Sequence, residues 1–299
     1  MHMNHIGEIA ALMVAFFWTI TALSFESASN KVGSLAVNLI RLLLGFLFLT
    51  VFTYFYRGIA FPVDATLNQW VWLSLSGLIG FVLGDLCLFK SFTLIGSRLA
   101  MLIMTLVPPI TAFLGFTLLG ETLSLFNLLG MSLTFAGIFL AIFSRATATE
   151  KLKLNVPLKG FLLALGGAFG QALGLVLSKK GMGNYDPFAA TQIRIITGIV
   201  GFAGIVILFN RAGQIKNAFM HKKGMTGIAL GSFFGPFLGV SFSLLSIQHT
   251  ETGIASTIMA IVPILIIAPS VLIFKQKVTI REIIGAVISV IGVALFFVK

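Results

Sequence analysis

The sequence predicts an all-α integral membrane protein in which ten transmembrane helices form two inverted five-helix repeats. Hydrophobic residues make up 58% of the 299 residues, charged residues only 10%, and the mean hydropathy is +1.07. Soluble domains usually carry about 25% charged residues. Long apolar stretches recur along the chain, and the second half of the chain repeats the first. These three observations together indicate a duplicated bundle that lies in a bilayer.

Ten apolar stretches have the length of about 17 to 25 residues that crosses a bilayer as a helix. None alternates with a period of two, which excludes a transmembrane barrel. The first stretch is followed by many more and by no small-residue cleavage site, so it is predicted to be structural. The predicted spans are residues 7–25, 35–56, 70–92, 99–119, 123–143, 160–178, 188–209, 224–247, 253–274 and 280–298.

The duplication has a spacing of 155 residues from residue 77 to residue 143, and of 153 residues before that. This period is far too long for a solenoid, whose units are about 20 to 50 residues. An odd number of spans in each half places the second half upside down relative to the first. Inverted repeats are common in secondary transporters, whose substrate sites lie between the halves. The best-matched pairs are Met104 with Met259, Val107 with Val262, Pro108 with Pro263, Gly130 with Gly285, and Gly137 with Gly292.

The longest polar interruption falls where the repeat predicts the junction between halves. We therefore predict one repeat over residues 1–144, a basic linker over 145–159 and a second repeat over 160–299. The formal charge of +11 comes from basic residues between the spans, which indicates anchors at the membrane surface rather than a nucleic-acid site. Lysines and arginines number four on the side of both termini and thirteen on the opposite side. By the positive-inside rule, this count predicts that both termini lie outside the cytoplasm.

Charged residues inside the spans are the first candidates for a functional site, because a charge in the membrane is costly without a partner or a cavity. Arg41 and Arg194 occupy matching positions in the second and seventh spans, and Asn38 precedes Arg41 by one helical turn. Each arginine either binds a carboxylate of the substrate or of a gate, or reaches the membrane surface and neighbouring carbonyls. Asp85 has Val240 as its counterpart. It is either a proton-coupling residue or the partner of Arg41 or Lys90.

Other polar and sulfur-containing residues are predicted to line a cavity between the halves. Trp18 and Gln171 occupy matching positions in the first and sixth spans, where the alternative for both is helix packing. Pro108 and Pro263 are predicted to kink their spans, either as hinges or as static bends. The predicted substrate-binding residues are Trp18, Asn38, Arg41, Met104, Gln171, Gln192, Arg194 and Met259.

The order of these features resembles the EamA family of the drug/metabolite transporter superfamily over nearly the whole chain. The resemblance implies alternating-access transport of small metabolites such as amino acids, more often as export, across a bacterial inner membrane. It also implies cytoplasmic termini, in contrast to the charge count. The features that carry it are the paired spans, Pro108 and Pro263, the Gly120-Glu121-Thr122 turn, and Arg41 with Arg194. The departures from the family pattern are Trp18-Thr19 in the first span and Lys275-Gln276-Lys277 in the second half.

Two other classes of function are compatible with a helical membrane bundle. A channel or uniporter shares the architecture, although the inverted repeat favours a carrier. A membrane-embedded lipid enzyme has little support, because the four histidines show no metal-ligand spacing and no nucleophile lies beside a base. No cofactor or metal is expected. The expected partners are a small-molecule substrate and membrane lipid, without nucleic acid, in a monomer or homodimer.

Overall fold

The computed structural model describes residues 5–149, 157–265 and 279–297, which form helices and short connections without a strand. Two π-helical segments, Leu78–Gly84 and Phe233–Gly239, join α3 to α4 and α10 to α11. A short 3-10 turn, Leu295–Phe297, ends the last helix. The helices are α1 Ile6–Val32, α2 Ser34–Arg57, α3 Leu67–Gly77, α4 Asp85–Met104, α5 Val107–Leu119, α6 Leu125–Thr149, α7 Leu158–Met182, α8 Pro187–Leu208, α9 Ala212–Met220, α10 Lys222–Ser232, α11 Val240–His249, α12 Thr252–Met259, α13 Val262–Leu265 and α14 Ile280–Ala294.

Seven helical stretches among the described residues are long and apolar enough to cross a membrane. Two shorter apolar helices, Val107–Leu119 and Leu125–Leu140, lie within the fourth and fifth predicted spans. The ninth predicted span continues past the described residues. The all-helical fold with many spans is therefore confirmed, and the count of ten stays a prediction. The seven are Ile6–Ser29, Ser34–Arg57, Leu67–Leu88, Leu158–Met182, Pro187–Leu208, Lys222–His249 and Ile280–Phe297.

The predicted connection at residues 93–98 is wrong, because α4 continues through it as helix. This stretch contains no proline, and a single glycine, Gly96, does not end a helix by itself. Ile95 also packs against Gly160 near the start of α7, which joins this helical stretch to the second half.

Both prolines predicted to kink their spans stand just after a break in the helix. The helix α4 ends at Met104 and α5 begins at Val107, while α12 ends at Met259 and α13 begins at Val262. Each proline is the second residue of its new helix, where the missing N–H costs no intrahelical bond. Both breaks occur at matching repeat positions. Whether they act as hinges stays a prediction.

The π-helical segments also occupy matching positions, 155 residues apart at both ends. The sequence analysis did not predict them. In each segment two glycines lie four residues apart, and the widened helix brings them against a helix of the other half. Gly84 lies against Gln171 of α7, and Gly239 lies against Trp18 of α1. Because these contacts match one another under the repeat spacing, each half packs its third apolar stretch on the first helix of the other half.

The helices α6 and α14 meet through small residues, which let their backbones approach closely. Ser289 Oγ donates to the carbonyl of Thr134 at 3.2 Å, and these two residues are repeat counterparts 155 positions apart. A Cβ added at Gly292 would lie 2.8 Å from the carbonyl oxygen of Gly130. Because Ser289 and Thr134 are repeat counterparts and contact each other, an approximate two-fold axis relates α6 and α14 at this contact.

We expect Gly292→Ala to lower the free energy of unfolding by about 1–3 kcal/mol, because the added methyl group has no space between α6 and α14. Gly204→Ala in α8 is the matched control, since no heavy atom lies within 4 Å of its added Cβ. The control should not lose stability, because alanine favours helix over glycine. Unfolding of each variant in mixed detergent micelles measures the change in its free energy of unfolding. Equal effects of the two substitutions would contradict this packing.

Candidate functional site

A buried ion pair joins α2 to the start of α4. The guanidinium of Arg41 donates through Nη2 to Oδ2 of Asp85. Both residues are buried, with exposed fractions of 9% for Arg41 and 5% for Asp85. A charge in a bilayer needs a partner, and removing one member of a buried pair leaves the other uncompensated. Of the two partners that the sequence offered for Asp85, the structure selects Arg41, and Lys90 is exposed.

The other half of the chain contributes a third side chain to this pair. Gln171 of α7 donates through Nε2 to Oδ1 of Asp85 at 2.7 Å, and the same nitrogen lies 3.5 Å from the carbonyl oxygen of Gly80. Gly80 belongs to the π-helical segment that precedes Asp85. The carboxylate of Asp85 therefore accepts one hydrogen bond from each half of the chain.

Arg194 of α8 lies close to this group without an ion pair of its own among the described residues. It is 5% exposed, and its Cζ lies 4.8 Å from the ring centroid of Phe81. Its Nε has no hydrogen-bond partner within the described ranges. Asp85 acts on it electrostatically. Arg41 similarly places its Cζ 5.7 Å from the ring of Phe25. Both arginines thus rest on aromatic faces, a favourable cation–π arrangement.

The crossing of α2 and α8 sets the position of the two arginines. Gly45 of α2 lies against Ile195, and Gly198 of α8 lies against Leu42. The 153-residue repeat spacing relates Gly45 to Gly198 and Leu42 to Ile195, so the two contacts are repeat counterparts. Each arginine lies within about one helical turn of this crossing. The resulting site, which we call the central site, consists of Arg41, Asp85, Gln171 and Arg194. It holds two cations and one carboxylate.

The matching place in the other half has different chemistry. Val240 replaces Asp85, and Trp18 replaces Gln171. Trp18 is half-buried against Gly239 and packs on the apolar cluster that contains Met259. Met104, at the end of α4, packs instead on a separate cluster with Leu88 and Ala164. The two methionines therefore belong to different apolar clusters.

Two further predicted residues lie outside the central site. Gln192 donates through Nε2 to the carbonyl of Ala60 at 2.8 Å, and so holds the connection between α2 and α3. Asn38 is buried, and its Oδ1 has no hydrogen-bond partner among the residues that the structure describes. The apolar spans around Gln192 and Asn38 predict that both are interior polar residues. Hydropathy does not indicate in which direction a side chain points around the helix axis.

A polar network that the sequence analysis missed joins both halves on the side of the termini. Oε2 of Glu121 accepts from the backbone N and Oγ1 of Thr252, at 2.9 and 2.6 Å. Nζ of Lys179 lies 2.6 Å from Oε1 of Glu121 and donates to the carbonyl of Thr250 at 2.7 Å. A carboxylate at the N-terminus of α12 is favourable. We call Glu121, Lys179, Thr250 and Thr252 the polar latch. Its only signal in the sequence was the Gly120-Glu121-Thr122 turn.

A second network on the same side joins the α2–α3 connection to the α7–α8 connection. Arg57 forms an ion pair with Asp64, and Tyr185 Oη donates to Asp64 Oδ1 at 2.9 Å. Partial burial acts to raise the pKa of Asp64, but the hydrogen bond from Tyr185 and the charge of Arg57 outweigh it and lower that pKa. Burial and the bond to Asp64 raise the pKa of Tyr185 to about 12. These contacts join the two connections on the side of the molecule that carries the termini.

Comparisons with known proteins give a family and a fold. The model of the EamA-like transporter family matches twice, over residues 5–143 and 158–298. A solved crystal structure with the printed title "Crystal structure of protein" is similar over 98% of this chain and 96% of its own, with a TM-score of 0.73 and 16% sequence identity. At this identity the likeness concerns the fold alone. No curated protein matches the sequence significantly.

We expect Tyr185 to ionise near pH 12, about two units above an ordinary tyrosine. Because the folded pKa is raised, this phenol contributes stability below about pH 10 and loses the contribution as the pH rises toward 12. The near-ultraviolet phenolate absorbance of the native chain minus that of Tyr185→Phe isolates the group, and Tyr54→Phe is the exposed control. Asp64→Asn should move the Tyr185 midpoint toward 10. A midpoint unchanged by Asp64→Asn would contradict the hydrogen bond.

Proposed function

The chain belongs to the EamA-like transporter family, and on that premise we propose that it exports small metabolites with a carboxylate, such as amino acids, in exchange for protons. The proposed mechanism is alternating access between the two halves, across a bacterial inner membrane. The family is one of transporters, so an enzymatic activity is not proposed. The central site carries the proposal, because it holds two buried arginines and a single carboxylate.

The charge balance of the central site favours an anionic group on the substrate. Asp85 compensates Arg41, which leaves the charge of Arg194 without an ion-pair partner among the described side chains. A buried cation is costly, and a substrate carboxylate offers the planar pair of acceptors that a guanidinium binds best. Arg194 is therefore the proposed anchor for the substrate carboxylate, with Phe81 as part of the apolar wall.

Asp85 supplies a means of coupling transport to protons. The ionised carboxylate of Asp85 has acceptor lone pairs that the hydrogen bonds from Arg41 and Gln171 do not use. These lone pairs can accept hydrogen bonds from the ammonium group of an amino acid. A proton on Asp85 removes the charge that attracts this ammonium, so proton and substrate compete for one carboxylate. Competition of this kind gives exchange rather than co-transport. A difference of a few kcal/mol between states suffices, because about 1.4 kcal/mol changes a population ratio tenfold.

We expect Asp85→Asn to abolish accumulation driven by a pH gradient, while exchange between equal pools continues at a higher KM, because the ammonium contact is lost and the Arg194 anchor is kept. Proteoliposomes loaded with individual radiolabelled amino acids, with and without a pH gradient, measure both processes. Glu282→Gln, at an acid of the α14 capping box that lies outside the central site and the polar latch, is the control and should keep coupled transport, because glutamine also completes a capping box. Arg194→Gln should raise KM at least tenfold for any solute that binds through its carboxylate, because the anchor is lost.

Two outcomes of this experiment would overturn the proposal. If Asp85→Asn still concentrates solute with the pH dependence of the native chain, Asp85 is a structural residue and does not couple transport. If the native chain moves solutes but never accumulates them against a gradient, the protein is a channel or a uniporter.

The polar latch should determine how often the side of the termini opens. Lys179→Gln removes the ion pair to Glu121, so we expect a cysteine placed beneath the latch to react faster with a water-soluble thiol reagent. Leu175→Cys in a Cys87→Ser background is a suitable probe, since Cys87 is the single native cysteine. Lys180→Gln is the matched control, because Lys180 is exposed and contacts the ring of Trp72. Equal labelling rates in both variants would show that the latch does not control access.

A further inference from the structure

The short helix α9 has no counterpart in the first half of the chain. It lies between α8 and α10, whereas the matching connection between α2 and α3 is not helical. Ala218 is buried and Ile215 packs on the apolar cluster of α1 and α2. Phe219 and Met220, in contrast, have exposed fractions of 52% and 65%. A short amphipathic helix at the ends of transmembrane helices is suited to lie in the membrane interface.

A cavity of about 510 Å³ separates α9 from the end of α1. The side chain of Gln214 bridges the two helices, because its Nε2 donates to the carbonyl of Val32 at 3.4 Å. Among the described residues that line this cavity none is acidic. Its polar lining residues are Lys31, Arg211, Gln214, Asn217 and His221.

The cationic and ring donors of this cavity have bonding capacity left for a ligand. Nδ1 of His221 accepts from the backbone N of Gly224 at 3.0 Å, so the neutral ring carries its proton on Nε2. Nζ of Lys31 donates one of its three hydrogens to Ser27 Oγ at 3.0 Å. Arg211 is exposed, and its side chain makes no capping bond to α9. Lys31, Arg211 and His221 thus surround one space with donors from three segments.

We propose that this cavity binds the phosphate group of an anionic membrane phospholipid, held by Lys31, Arg211 and His221. A phosphate offers several charged oxygens to separate donors, which matches three donors spread around a cavity of this volume. The exposed Phe219 and Met220 on the same helix would contact the acyl region, which a free phosphate ion does not need. The cavity also lies on the side with thirteen of the counted lysines and arginines, as expected for contact with an anionic leaflet. This inference does not depend on the proposed transport activity.

Native mass spectrometry of the full chain, purified with added phosphatidylglycerol or phosphatidylcholine, tests the site directly. We expect retention of phosphatidylglycerol, and a loss of at least tenfold in retention for Arg211→Gln combined with Lys31→Gln. Lys216→Gln is the matched control, since Lys216 is an exposed cation of α9 outside the cavity. Thermal unfolding in detergent without added lipid establishes that each variant is folded. Inorganic phosphate, added as a separate probe, should not raise the unfolding temperature at millimolar concentration.

Three results would overturn the proposal. An equal loss of phosphatidylglycerol retention in Lys216→Gln would mean that the general surface charge attracts the lipid and that the cavity is not a specific site. Stabilisation by inorganic phosphate, without retention of phosphatidylglycerol, would make the ligand a free anion. Retention of both lipids alike in the native chain would remove the anionic headgroup as the basis of recognition.

Discussion

The structure depends on the requirement that charges inside a bilayer be compensated. Asp85 satisfies this requirement with Arg41 from α2 and with Gln171 from α7, and so draws on both halves of the chain. Neither half alone holds this set of partners. Removing one member of a buried pair costs about 3–5 kcal/mol, so the ion pair holds α2 against α4 within the first half, and the hydrogen bond from Gln171 joins this pair to the second half. The contacts that stabilise the bundle therefore place the carboxylate of Asp85 at the junction of the repeats.

Small residues and π-helical turns make that junction possible. The segment Leu78–Gly84 widens the helix just before Asp85 and brings Gly80 and Gly84 against Gly174 and Gly170 of α7. Residues with side chains at these positions would push the two helices apart, and Gln171 would no longer reach Asp85. π-helical turns are rare and are frequently found at functional sites. Here one turn positions the acid, and its counterpart, Phe233–Gly239, positions Trp18 instead.

Much of this architecture could be predicted from the sequence, because span length and duplication are properties of the chain in one dimension. The breaks at Pro108 and Pro263 followed for the same reason, since proline lacks an N–H. The hydrogen-bond partners of individual polar side chains could not be predicted, because they depend on the rotation of each helix about its axis. Gln192 bonds to a connection and Gln171 to Asp85, although both read as interior amides. The sequence likewise did not indicate the ion pair of Lys179 with Glu121, because the two residues are 58 positions apart in the chain.

The differences between the repeats bear most on mechanism. Two identical inverted halves would give two states of equal energy, related by exchange of the halves, and no residue that distinguishes them. This chain keeps the arginine in both halves but the acid in only one, with Val240 opposite Asp85 and Trp18 opposite Gln171. The polar latch is unequal as well, because the counterparts of Glu121 and Lys179 are Gln276 and Glu26. The two states of the proposed alternating-access cycle would therefore differ in their polar contacts. In the proposed mechanism, a proton on Asp85 changes the energy of the state in which Arg41 and Gln171 bind its carboxylate, and a proton gradient acts on that difference.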